Sequence, residues 1–200
     1  MKYMYFMRPG YNDFLRKIHD QHPRIKLGFY SSIMFKNIQP VMLEVLTGEL
    51  AELRNEFVVF DQKYNKLMRD HPYYSNLKTD NWDMYRDLNL VWEDGICKEK
   101  GYNAKNTVMI DSSETKVQLF RDNSIVNRAY ELQDVQLLAD DQGVIRGPDW
   151  QADHMNRLAD FVINLADSVD TDVREWLLHN RPAEYEPADL LSNQVAVQSD

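Results

Sequence analysis

Cysteine is nearly absent: Cys97 is the only one in 200 residues. That excludes an intrachain disulfide and a zinc site built on several thiolates. No apolar run approaches the ~20 residues needed to cross a bilayer as a helix. The opening "MKYMYFMRPG" is a poor secretory signal, because its apolar part is short, aromatic and ends at Pro9-Gly10. It also lacks the arginines and serines of a mitochondrial presequence, so import would rest on an internal signal or a leader upstream of Met1. Basic charge is scarce as well. Lys and Arg number 23 against 32 Asp and Glu, a net charge of −9, which disfavours a general nucleic-acid or anionic-membrane surface. Lys63, Lys66 and Arg69 cluster at helical spacing and read as a solvated face. There is no glycine-rich phosphate loop and no G-x-S-x-G elbow. The five histidines, His19, His22, His71, His154 and His179, never fall at the i, i+4 spacing of a helical metal pair. His19 and His22 read as a solvated helix end beside Pro23. No repeat or low-complexity segment is present.

What remains is a globular composition, 44% hydrophobic and 12% aromatic, in a chain long enough for one domain with an extension. Residues 3–7 and 25–30 are β-prone. Between them, Phe14, Leu15 and Ile18 set a helical period behind an Asn12 or Asp13 cap. A helix over 35–46, a short strand over 57–60, a polar and aromatic insertion over 62–83 and a helix over 85–92 follow. Then "NTVMIDSS" (106–113) reads as a buried strand running into an aspartate and two serines, with a short helix and a last weak strand at 124–127 behind it. Alternation of this kind argues a mainly parallel sheet with helices on both faces. From Trp150 to Val169, apolar residues recur at i, i+3, i+4, i+7, the best amphipathic helix in the chain, and a second helix covers 172–179. The predicted organisation is a core over 1–130, with 62–105 as insertion and loop region, a C-terminal helical part of the same domain over 131–180, and a polar tail over 181–200. That tail is too polar to fold alone, so its ordering would need another surface.

Chemistry concentrates at strand ends, where ligands bind in open α/β sheets. "KLGFYSS" ends in Ser31 and Ser32, and "NTVMIDSS" ends in Asp111, Ser112 and Ser113. With "MRPGYNDFLRKI" before them and "QLFRDNSI" after, these segments resemble, in order and spacing, the NLI-interacting-factor or CTD-small-phosphatase-like domain of the haloacid dehalogenase superfamily. The resemblance covers roughly residues 3–130. It implies a three-layer α/β fold with a C-terminal helical extension. It makes Ser31 the phosphate-binding hydroxyl and Asp111 the Mg²⁺-binding aspartate, and puts Arg86 of "YRDL" where the family has a phosphate-binding lysine. Read from the residues alone, Ser31 is equally a strand-end cap and Asp111 an Asx turn or helix cap.

Two departures change the implied function. The family's nucleophile and general acid lie in an Asp-x-Asp-x-Thr motif before the Arg-Pro-Gly turn, and none occurs in these 200 residues. Without that aspartate no phospho-aspartyl intermediate forms. Asp111 is followed by Ser112, a poorer Mg²⁺ ligand than a carboxylate, so Asp111 and Ser112 read as a remnant metal site and Ser31 and Arg86 as a remnant phosphate site. The expectation is therefore no cofactor and no catalysis: a pseudophosphatase acting as a structural or assembly subunit of a larger complex, bound to other proteins and not to nucleic acid. The aromatic insertion, with Tyr73, Tyr74, Trp82, Tyr85 and Trp92, packs itself or meets such a partner. A faint likeness of "DSVDTDVREWL" to the mitochondrial inner-membrane translocase receptor of this family turns the expected compartment toward mitochondria. The alternative is a Mg²⁺-dependent protein serine/threonine phosphatase whose nucleophile-bearing strand is encoded upstream.

Overall fold

The structure is a computed structural model that describes residues 8–46, 48–73, 77, 80, 82–130, 138–139, 145–146 and 149–190. It is a mixed α/β protein. The elements in chain order are α1 (Tyr11–Gln21), β1 (Gly28–Tyr30), α2 (Phe35–Val45), β2 (Val58–Phe60), β3 (Asn65–Leu67), β4 (Met84–Arg86), α3 (Leu88–Trp92), α4 (Gly95–Glu99), β5 (Met109–Asp111), β6 (Ser124–Val126), β7 (Leu138–Ala139), β8 (Ile145–Arg146), α5 (Asp149–Ser168) and α6 (Val173–Asn180). Turns of 3-10 helix cover 48–55, 62–64, 68–70, 115–123 and 183–185. The described strands pair two by two: β1 with β2, β3 with β4, β5 with β6 and β7 with β8. β5 and β6 are parallel, with Met109 opposite Ser124 and Asp111 opposite Val126. The β3–β4 and β7–β8 pairs are antiparallel. The β-prone stretch 3–7 and Tyr74 lie outside the described residues.

The chain divides into two compact units, one of residues 1–29, 35–59 and 130–168, the other of 30–34, 60–129 and 169–200. Helix packing holds the first unit together. The apolar stripe of α5, with Met155, Leu158, Ala159, Val162 and Leu165 buried, joins α1, which buries Phe14, Leu15 and Ile18. The two helices run side by side in the same direction. Gly10 meets Ala152 at one end, Lys17 Nζ lies 2.7 Å from Asn156 Oδ1 and 2.6 Å from Asp160, and His22 Nε2 lies 3.1 Å from Asp167 at the other end. Gly10 is also the N-cap of α1, at φ +77°, where the sequence had suggested Asn12 or Asp13.

The second unit carries the sequence motifs. Its larger apolar cluster joins Tyr64, Leu88, Val91, Cys97, Met109, Val117 and Val126, and a smaller one joins Met68, Leu77 and Tyr85 with Leu119 and Leu190. Burial pushes the Cys97 thiol pKa up, so this cysteine is a packed apolar group and not a reactive thiolate. The insertion expected to be irregular over 62–83 contains β3, and its ladder to β4 sets Asn65 opposite Arg86 and Lys66 opposite Tyr85. The helix expected from Tyr85 accordingly begins at Leu88. Tyr85 and Arg86 belong to the ladder, and the Asp87 carboxylate caps α3 by accepting the Asn89 N–H at 3.1 Å. Asp172 caps α6 in the same way, accepting the Arg174 N–H at 3.0 Å. The polar tail splits. Residues 183–190 lie on their own unit, with Tyr185 and Pro187 fully buried, while 191–200 are outside the described residues.

Candidate functional site

Four strand ends of the second unit meet around one guanidinium. Arg86, the last residue of β4, is only 7% exposed. Its Nε donates to Asp111 Oδ2 at 2.7 Å, at the end of β5. Its Nη1 donates to Asn65 Oδ1 at 2.7 Å on β3 and to Ser32 Oγ at 3.0 Å beyond β1. The guanidinium also stands over the Tyr30 ring, 4.8 Å from its centroid. A planar fork with a π face suits this duty, and an ammonium could not copy it.

Each partner is itself fixed. Asn65 Nδ2 donates to the carbonyls of Ser31 at 2.9 Å and Asp61 at 3.0 Å, so the amide ties the end of β1 to the end of β2. The Tyr30 hydroxyl donates to the Tyr64 carbonyl and accepts the Asp87 N–H at 2.9 Å. Burial, the largest influence, raises its pKa well above the ordinary tyrosine value, so it stays a neutral phenol. Asp111 Oδ1 accepts the Ser113 N–H at 3.0 Å, an Asx turn that opens the 3-10 helix 115–123. Beside the site, Asp87 Oδ2 lies 2.6 Å from Lys66 Nζ, and that hydrogen bond raises the lysine pKa.

The sequence-derived candidates are therefore placed as follows. Arg86 and Asp111 are brought together, as a directly bonded ion pair. Ser31 contributes its carbonyl to Asn65, while its hydroxyl accepts the Ile33 N–H at 3.1 Å, a local turn ahead of α2, which begins at Phe35, and not a cap of that helix. The hydroxyl that reaches Arg86 is that of Ser32. Ser112 is exposed at the surface. Tyr30, Asn65 and Asp87 were not legible as site residues, since no spacing pattern marks a tyrosine or a lone asparagine that acts through long-range contacts.

Chemically, the arrangement is closed. Both oxygens of Asp111 are engaged, one by a cation, so a metal ion would have to displace Arg86 and would then hold a single carboxylate. Mg²⁺ asks for near-octahedral oxygen ligation, and the residues present do not fit it. Among the described residues, no group of three or more His, Cys, Asp or Glu stands together as a metal site. Comparison with known proteins adds no assignment: no family model matches this sequence, and no curated protein matches it significantly.

Proposed function

We propose that this chain is a catalytically inactive, haloacid-dehalogenase-type pseudophosphatase of three-layer α/β fold that serves as a structural or assembly subunit of a larger protein complex, with the mitochondrion as its compartment. The observation that carries the reading is the Arg86–Asp111 pair. The cation and the carboxylate that the resemblance assigns to phosphate and metal are bonded to each other, and Ser32 and Asn65 complete the shell. No catalytic step is assigned to any residue. The partner surface is drawn from the insertion, where Trp82 is 72% exposed and Tyr73 lies near it in sequence and is also exposed. Large aromatics exposed to water are the residue types that interface cores enrich.

The test is turnover of p-nitrophenyl phosphate by the purified chain with Mg²⁺, beside size fractionation of the native protein from its source. The expected result is no hydrolysis above the buffer rate and elution at a mass well above 23.7 kDa. Saturable, Mg²⁺-dependent hydrolysis that disappears in Asp111→Asn would overturn the proposal and establish the phosphatase reading.

A further inference from the structure

The segment after α6 lies on its own unit as a bound peptide would. Tyr185, which closes the 3-10 turn 183–185, and Pro187 are buried, while Glu186, extended between them, and Ala188 face water, so from residue 185 on every second side chain enters the unit, as in a bound peptide. The 3-10 helix 115–123 and the residue before it read its main chain. Ala188 donates its N–H to Glu114 Oε2 at 2.8 Å and accepts at its carbonyl from Gln118 Nε2 at 3.1 Å. Arg121 Nη2 donates to the Pro187 carbonyl at 3.0 Å, and Arg121 Nη1 pairs with Asp189 at 3.0 Å. A backbone N–H, two carbonyls, a carboxylate and two apolar side chains are thus recognised within five residues.

The fit is incomplete. Gln118 is 5% exposed, yet its Oε1 finds no hydrogen-bond partner among the described residues, and neither does the buried Nε of Arg121. An unpaired buried acceptor and donor on the floor of a recognition groove lower the stability of whatever lies there. The tether still keeps the segment in place, because a short linker supplies an effective concentration on the order of millimolar. We propose that the groove formed by Glu114, Gln118 and Arg121 is a peptide-binding site, held shut by the chain's own 183–190 strap, which takes an extended acidic partner segment with an aromatic residue, a proline two positions on and a carboxylate two further. A partner that also supplies a donor to Gln118 Oε1 and an acceptor to Arg121 Nε displaces the strap. This groove shares no residue with the Arg86 shell, and its test involves no phosphatase activity.

The probe is a fluorescein-labelled octapeptide of residues 183–190, titrated by fluorescence anisotropy against the full chain. Pro187→Gly loosens the strap and leaves the groove intact, so the variant should bind the peptide at least tenfold more tightly than the unmodified chain. Adding Arg121→Gln should weaken that binding at least tenfold. A folded Pro187→Gly chain that binds no better than the unmodified one overturns the proposal, as does binding indifferent to Arg121→Gln. If Pro187→Gly fails to fold, hydrogen exchange in the unmodified chain decides. The Ala188 amide should exchange at least tenfold faster than that of Ile125, reporting a strap that opens alone. Exchange of Ala188 locked to that of Ile125 refutes an exchangeable strap.

Discussion

Arg86 shows how one side chain can organise the ends of several strands. Its guanidinium holds Asp111, Asn65 and Ser32 and stacks on Tyr30, so removing it strands a buried carboxylate and an amide at once. Breaking a buried pair from one side costs about 3–5 kcal/mol, and Arg86→Ala is expected to fall in that range by urea unfolding. Arg86→Lys should recover only part of the loss, because a single ammonium cannot span the three acceptors. A loss under about 1 kcal/mol for Arg86→Ala would show the pair to be no more than a surface ion pair. His71 makes a second residue-scale prediction. It is buried, with Nδ1 accepting the Tyr73 N–H at 3.0 Å and its ring edge-on to Tyr85. Burial lowers its pKa below the ordinary 6.5. The unfolded chain then binds the proton more readily than the folded one, so this contribution to stability is complete above pH 6.5 and is lost as pH falls toward the folded-state value. Chemical denaturation midpoints should drop across that window in the native chain and stay flatter in His71→Phe. The serines were legible only as a pair. Side chains of a strand alternate faces, so a shift of one residue decides whether Ser31 or Ser32 reaches Arg86, and nothing local sets that register.

At the scale of elements, α5 was legible because twenty residues of 3.6 periodicity leave little choice of face, and its observed span, Asp149–Ser168, nearly matches the expectation. The hairpin β3–β4 was not. Its strands are three residues each, too short for a period, and they hold Asn65, Lys66 and Arg86, whose polarity is offset mainly by partners distant in sequence. The α1–α5 pair depends on Gly10. A Cβ there would sit 2.8 Å from Ala152 Cα, against backbone that cannot swing aside, and the φ of +77° is one that L side chains rarely adopt. Gly10→Ala is expected to destabilise by about 1–3 kcal/mol, read as a lowered thermal midpoint. A neutral result would mean that α1 and α5 do not approach as closely as described.

At the scale of the whole molecule, the chain crosses between two compact units several times. Since a Cβ on Gly10 would press on α5 of the first unit, the Gly10→Ala variant should lose hydrogen-exchange protection in α1 and α5 before β5 and β6 do. Equal loss in all four would mean that the units open as one. The sequence alone determined the elements with long or strongly apolar patterns, the lack of multi-thiolate chemistry, the negative charge and the absence of Asp-x-Asp-x-Thr from these residues, because each of these is a property of composition or of neighbours in the chain. Tertiary structure alone decided that Arg86 meets Asp111, that Asn65 ties β1 to β2, and that residues 183–190 lie on their own unit. Apart from the Asn65–Asp61 bond, four residues apart, those outcomes rest on contacts between residues 21 to 74 positions apart, where the partner of a polar group is chosen by packing and not by anything the local pattern encodes.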